Sequence, residues 1–103
     1  MTTKEQLIAG RERIAAGWSQ CAMAEDKDGI AVDVTDPTAV SFCTLGALVA
    51  SGLAELDAEL VLHSALPIAY RRDFLVSEYN DSTERTKDDI LALYDRAIER
   101  EAR

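Results

Sequence analysis

The chain has 103 residues, of which 48% are hydrophobic and 29% charged, a composition that fits one globular domain over residues 1–103. Nineteen acidic residues against eleven basic ones give a formal net charge of −8. Because nucleic-acid binding relies on clustered Lys and Arg, this charge argues against direct contact with DNA or RNA and favours a protein partner. No apolar run approaches the roughly 18 residues of a membrane helix, and two cysteines are too few for a disulfide framework. We therefore expect a cytoplasmic protein with reduced thiols that does not bind membranes.

The first helix is predicted from its cap and from its apolar spacing. Thr3 and Gln6 have the spacing of a capping box, which places the helix start at Thr3. Leu7 and Ile14 fall on one helical face, and Gly17 is typical of a helix end. The sequence therefore predicts a helix over residues 3–17.

A change of pattern after this helix predicts a small β-hairpin. Apolar residues flank the polar run 25–29, in which Asp28 and Gly29 supply the chemistry of a tight turn. Residues 30–34 are the better of the two predicted strands. Since an isolated hairpin is only marginally stable, we expect it to pack against the helices.

The central helix is predicted to begin at Asp36 and Pro37, a capping side chain followed by proline at the first helical position. Gly52 marks its expected end. Its small residues share one face and would let another helix approach closely; they are Ala39, Cys43, Gly46, Ala47 and Ala50. We expect this helix to be the most buried one.

Three further helical segments complete the predicted fold. Residues 53–65 and 67–77 form two pieces with a break imposed by Pro67, residues 79–82 form a polar turn, and the last helix begins with a capping box of Thr86 and Asp89. The apolar residues of the two middle pieces are Leu56, Leu60, Leu62, Ile68, Tyr70, Phe74 and Leu75. The predicted fold class is mainly all-α, a compact bundle of about five helices with a small β-hairpin between the first two.

One group of residues has the chain order of papain-like thiol enzymes: Cys43, His63 and Asn80, with Asp81 as a second orienting group. Such catalysis needs a thiolate, an imidazole that takes its proton and an amide that orients the ring. The predicted central helix, however, places Cys43 about two turns past its start, on a small apolar face where cysteine is usually a packed side chain. These four residues are the catalytic candidates, and a structural role is the favoured interpretation of each.

Metal sites are not expected. Cys21, Cys43 and His63 lack the paired spacing of zinc ligands. The aspartates of residues 26–36 do not fit a calcium-binding EF-hand, because aligning Gly29 with the required glycine puts Ala24 at the first ligand position. We expect neither a metal nor a cofactor.

The candidate binding residues are Trp18, Tyr79, Asn80 and Asp81. Asn80 and Asp81 most simply form an Asx-type turn that satisfies local backbone groups and orients the last helix. The alternative is a polar pocket wall with Trp18 and Tyr79 as aromatic neighbours. The sequence favours the turn.

Four motifs occur together in the order Trp18-Ser19-Gln20, FCTLGAL at residues 42–48, Tyr79-Asn80-Asp81, and RTKDDILALYDRA at residues 85–97. With them, the chain resembles a family of small uncharacterised bacterial and phage proteins, a domain of unknown function. That family usually has tryptophan in place of Tyr79 and often glycine in place of Cys21. The resemblance implies a bacterial or phage cytoplasmic setting and a role in the family for Cys43, Gly46, Asn80 and Asp81. It implies no activity.

The function predicted on these grounds is a non-enzymatic binding or regulatory module that acts through protein–protein contacts, for example as a phage-derived modulator of a host protein. Two alternatives stay open. One is a small thiol-dependent hydrolase or transferase that uses Cys43, His63 and Asn80. The other is a structural domain that associates with copies of itself into a homo-oligomer.

Overall fold

A computed structural model describes residues 1–101; the last two residues of the predicted 1–103 domain lie outside the described residues. It confirms the predicted fold class, a mainly helical bundle with a two-stranded antiparallel sheet between the first two helices. The elements in chain order are α1 (Thr3–Ala16), β1 (Ala24–Glu25), β2 (Ser41–Phe42), α2 (Thr44–Ala50), α3 (Glu55–His63), a 3₁₀ turn (Ile68–Tyr70), α4 (Val76–Asp81) and α5 (Lys87–Glu101). No helix within residues 1–101 combines the length and apolar character needed to cross a bilayer.

The first and last helices pack against each other. The buried residues of α1 are Leu7, Gly10 and Ile14, and those of α5 are Ile90, Leu93, Tyr94 and Ala97. A Cβ atom at Gly10 would lie 2.8 Å from a ring carbon of Tyr94, so glycine lets the ring approach the α1 backbone. At the edge of this contact, Arg11 Nε donates to Asp95 Oδ1 at 2.5 Å. Residues 84 positions apart in the chain thus hold the two ends of the fold together.

The helix caps have the predicted chemistry, but the capping box of α1 lies one residue earlier in the chain than predicted. Thr2 Oγ1 accepts from the Glu5 N–H, and Glu5 accepts from the Thr2 N–H, so the capping box of α1 is not formed by Thr3 and Gln6. The prediction was wrong by one residue because adjacent threonines offer the same hydroxyl, and a carboxylate in the first turn is the stronger partner of the helix dipole. Gly17 ends α1 as predicted.

The predicted hairpin has the wrong second strand. β1 pairs with Ser41–Phe42 in the register Ala24↔Phe42, whereas residues 30–34 contribute only an isolated bridge at Ala31. The turn itself forms, with Gly29 at a φ of 77°. After Ala31 the chain bends again, because the Asp33 carboxylate accepts from the Thr35 N–H and hydroxyl. This local turn prevents residues 30–34 from continuing as a strand.

The central helix is shorter than predicted and begins at Thr44. The Asp36 carboxylate caps only a turn, accepting from the N–H and hydroxyl of Thr38. Phe42 then donates its N–H to Gly17 O and accepts from Ser19 N, which fixes residues 41–43 in extended conformation. Cys43 therefore lies at the N-cap of α2, with its Sγ accepting from the Gly46 N–H at 3.2 Å, and not two turns inside a helix.

The segment between α2 and α5 departs from prediction in two places. The helix expected over 67–77 is reduced to a 3₁₀ turn that begins after Pro67. The polar turn expected over 79–82 is instead helical to Asp81, with Tyr79 and Asn80 buried. Residues 79–82 do not form an isolated turn because the Asn80 side chain is hydrogen-bonded to distant parts of the chain.

Candidate functional site

Asn80 is the centre of a buried hydrogen-bond network. Its Oδ1 accepts from Trp18 Nε1 at 2.8 Å, from the Thr44 N–H at 2.9 Å and from Thr44 Oγ1 at 2.7 Å. Its Nδ2 donates to Ser19 O at 3.2 Å and to Asp81 Oδ1 at 2.8 Å. The indole and backbone nitrogens can only donate, which fixes the orientation of the amide. Every donor and acceptor of this fully buried side chain is used within the fold.

The network ties the segment after α1 to the end of α4. Gln20 Nε2 donates to the carbonyl oxygens of Asn80 and Ser82 at 3.0 and 2.9 Å. Cys21 donates its N–H to Asp81 Oδ1 at 2.9 Å and has a φ of 69°. This left-handed backbone conformation is one that glycine adopts more readily than cysteine.

Tyr79 is buried by an arginine that the sequence analysis did not single out. The guanidinium carbon of Arg85 lies 3.7 Å from the centre of the Tyr79 ring, and its Nε donates to Tyr79 O at 2.8 Å. The Tyr70 ring completes the cluster, edge-on to Tyr79 with the ring centres 5.1 Å apart. Tyr79 is only 4% exposed, so its ring packs against Arg85 and Tyr70 and offers little surface to a ligand.

The residues that sequence reasoning missed are Gln20, Thr44, Arg85 and Tyr94. Thr44 links the network to α5, because Tyr94 Oη donates to Thr44 O at 2.6 Å. All four stand inside the motifs that carry the family resemblance. Their positions within the four motifs were therefore the signal in the sequence that could have identified these residues. The motifs lie close together in the fold because their residues form one hydrogen-bond network.

A small pocket lies beside this network. Its volume is about 110 Å³, and its lining comprises Cys21, Ala22, Met23, Cys43, Leu45, Ser77 and Asp81. Burial raises the pKa of the Cys43 thiol, the Gly46 N–H partly opposes that increase, and the nearby Asp81 carboxylate adds to it. The position of Cys43 at a helix start therefore does not produce a thiolate, because loss of water outweighs the helix N–H groups.

The thiol-enzyme candidates are only partly brought together. Cys43 and Asp81 line the same pocket, and Asn80 adjoins it through its bond to Asp81. His63 is the last residue of α3; it does not line this pocket, and its side chain forms no hydrogen bond within residues 1–101. The Asn80 amide is already engaged by Trp18, Thr44 and Ser19, so it is not available to orient an imidazole.

Three of the aspartates in residues 26–36 form hydrogen bonds within their own loops. Asp26 Oδ1 accepts from the N–H groups of Asp28 and Ile30, and Asp33 and Asp36 each accept from a threonine two residues on. Within residues 1–101, no group of three or more His, Cys, Asp or Glu side chains is placed to hold a metal ion.

The buried Tyr94 hydroxyl gives a pH-dependent prediction. Burial raises the pKa of Tyr94 well above its ordinary value. Because the pKa of Tyr94 is higher in the folded state than in the unfolded state, its contribution to stability is fully present below the unfolded-state pKa of about 10. This contribution is lost as the pH rises above that value. We expect wild-type protein to lose up to ~1.4 kcal/mol of unfolding free energy per pH unit from Tyr94 above pH ~10. Tyr94→Phe should cost about 1 kcal/mol at pH 7 and flatten the alkaline decline, as measured by urea unfolding. Parallel pH curves for the two proteins would contradict the prediction.

A second surface feature is a set of exposed apolar side chains on α3 and in the segment that follows it. These residues give the two predicted helical pieces much of their apolar character, yet the structure leaves them open to solvent. The exposed fractions are 70% for Leu56, 62% for Leu60, 81% for Ile68, 39% for Phe74 and 55% for Leu75. We call these five residues the α3 patch. In α3 itself, burial falls on Ala58 and Leu62 instead.

Residues 1–100 match the model of a family of unknown function, DUF6197, and the chain belongs to that family. No curated protein and no solved structure was found to match the chain. The family description names no activity, so the function has to be argued from the chain's own surface.

Proposed function

We propose that this DUF6197 member is a non-enzymatic binding module that docks a partner protein on the α3 patch. The observation that carries the proposal is the exposure of large apolar side chains there, with Leu56, Leu60 and Ile68 each more than half open to solvent. Large exposed apolar residues that follow each other closely in one part of a small domain are a feature of interaction surfaces. In a phage setting, such a module would act as a modulator of a host protein.

The members of the α3 patch are linked by the local structure. Leu56 and Leu60 are four residues apart on α3 and therefore neighbours on one helical face. The Glu59 carboxylate accepts from the Val76 N–H at 3.2 Å, which holds the segment containing Leu75 against α3. Phe74 packs edge-on against Tyr70, with ring centres 5.2 Å apart, at the end of the turn that contains Ile68.

The charge around the α3 patch favours a basic partner. Exposed acids flank it at Glu55, Asp57, Asp73 and Glu78, against the exposed base Arg72. The whole chain carries a net charge of −8. Complementary charge would guide a partner with a basic rim to the patch, while apolar contact would supply affinity. The occupant proposed here is therefore a protein segment with apolar side chains and flanking Lys or Arg.

Selection from a random peptide library displayed on phage tests this proposal. We expect the selected peptides to be enriched in apolar residues with Lys or Arg and to bind more weakly as salt increases. The double variant Leu56→Ser/Leu60→Ser should weaken their binding at least tenfold. A matched control, Ile30→Ser/Val40→Ser, removes two side chains of comparable exposure, 62% and 50%, from another surface and should leave binding unchanged.

Three results would overturn the proposal. Equal binding by both double variants would place the interaction elsewhere, and selected peptides without basic residues would contradict the proposed charge of the partner. A mass that rises with protein concentration, and stops rising in Leu56→Ser/Leu60→Ser, would instead assign the α3 patch to a second copy of the chain. Sedimentation velocity of the free protein measures that outcome directly.

A further inference from the structure

We propose that Arg71, Arg96 and Arg100 form a binding site for a single oxyanion group, a phosphate or a carboxylate. The three side chains line a pocket of about 190 Å³ together with Ala65 and Glu99. The pocket lies where the chain leaves α3 and passes beside the second half of α5. It is separate from the Asn80 network, and the argument for it does not depend on the α3 patch.

Two of the guanidinium groups are held in place by backbone carbonyls. Arg71 Nε donates to Leu66 O at 2.8 Å, and Arg96 Nε donates to Ala65 O at 2.8 Å. The acceptors are consecutive residues, and both arginines line the same pocket. Each anchor uses the Nε–H and leaves the terminal nitrogens for another acceptor. An arginine held in this way loses little further freedom when it binds an anion.

The salt bridges among residues 1–101 involve other arginines. The Arg96 Nη2 atom is buried and has no hydrogen-bond partner among those residues. Buried polar atoms in folded proteins are normally paired, so the Arg96 guanidinium has a donor that the described part of the fold does not satisfy.

The charge balance of the pocket favours an anion of small size. Three arginines face one glutamate, so the pocket is locally positive in a chain whose net charge is −8. Paired guanidinium groups match the oxygens of phosphate and carboxylate better than a monatomic ion such as chloride. A volume of about 190 Å³ lies below the ~300 Å³ at which pockets for drug-sized ligands begin. The site therefore suits one oxyanion group and not a whole nucleotide.

Titration followed by NMR of the arginine Nε–H signals tests the site on the full chain. Inorganic phosphate and succinate are added separately at constant ionic strength, with sodium chloride as the reference. We expect saturable shifts of the Arg71 and Arg96 signals with at least one of the two oxyanions, and none with chloride. A response to phosphate alone assigns a phosphate source, and a response to succinate alone assigns a carboxylate source. Absence of a saturable shift with both would overturn the proposal.

Neighbouring arginines provide matched variants. Arg71→Gln should weaken oxyanion binding at least tenfold, whereas Arg72→Gln, which removes the same charge from the adjacent exposed position, should change it less than twofold. Arg100→Gln, at an exposed position on α5, should weaken binding severalfold without disturbing the fold and covers the case in which Arg71→Gln is unstable. Equal weakening by Arg71→Gln and Arg72→Gln would show a response to net charge and would contradict a built site.

Discussion

Gly46→Ala is expected to remove most of the stability of the fold. A Cβ atom at residue 46 would lie 2.0 Å from Met23 O and 2.8 Å from Met23 C, both backbone atoms that no rotamer change can move. Alanine gains about 1 kcal/mol of helix propensity over glycine, which is far smaller than the cost of separating α2 from the segment before β1. We expect a loss of more than about 4 kcal/mol of unfolding free energy, measured by urea unfolding followed by circular dichroism.

Gly29→Ala is the matched control for that substitution. Residue 29 has a φ of 77°, and no atom lies within 4 Å of the position of its Cβ. The expected cost is therefore only the backbone strain of a left-handed alanine, about 1 kcal/mol. If Gly46→Ala proved no more costly than Gly29→Ala, the close contact between α2 and Met23 would be refuted.

The second large effect is expected for Asn80→Leu, a substitution by a larger, apolar side chain. It would leave the Trp18 indole N–H, the Thr44 N–H and the Ser19 carbonyl without their present partner. Buried groups that lose a partner each cost about 1–3 kcal/mol, so the three groups together predict a loss of at least about 3 kcal/mol. Urea unfolding measures the stability, and the fluorescence of Trp18 reports whether the indole becomes exposed.

Asp81→Asn serves as the control for Asn80→Leu. It changes the neighbouring, exposed residue and keeps a side-chain oxygen that can accept from the Cys21 N–H. The expected change is below about 1 kcal/mol. Should Asn80→Leu fold as stably as Asp81→Asn, the network would not be a determinant of stability, and the Asn-Asp motif would need a functional explanation.

The sequence predicted those parts of the fold whose causes are local. The Gly17 helix end and the Thr86–Asp89 capping box depend on side chains within a few residues of each other, and both are present. The start of the central helix was missed because Asp36 and Pro37 are a good local signal that tertiary contacts override. The bonds of Phe42 to Gly17 and Ser19 make residues 41–43 extended, and no local pattern encodes such partners.

The same reasoning explains what was missed in the candidate site. An Asx turn was favoured at Asn80 because the Asn-Asp pair is a frequent turn signal, yet the observed partners Thr44 and Trp18 lie 36 and 62 positions away. The α3 patch was missed for a different reason. Leu56 and Leu60 share one helical face and Leu62 lies on another, so spacing alone does not say which face is inward.

The pairing of α1 with α5 also affects how the chain folds during synthesis. Leu7 and Ile14 leave the ribosome well before α5, which packs against their helix, has been made. Until the ribosome has released Tyr94 and its neighbours, the apolar face of α1 has no helix to pack against. This apolar face is then available to chaperones. We therefore expect this domain to fold only after its translation is nearly complete.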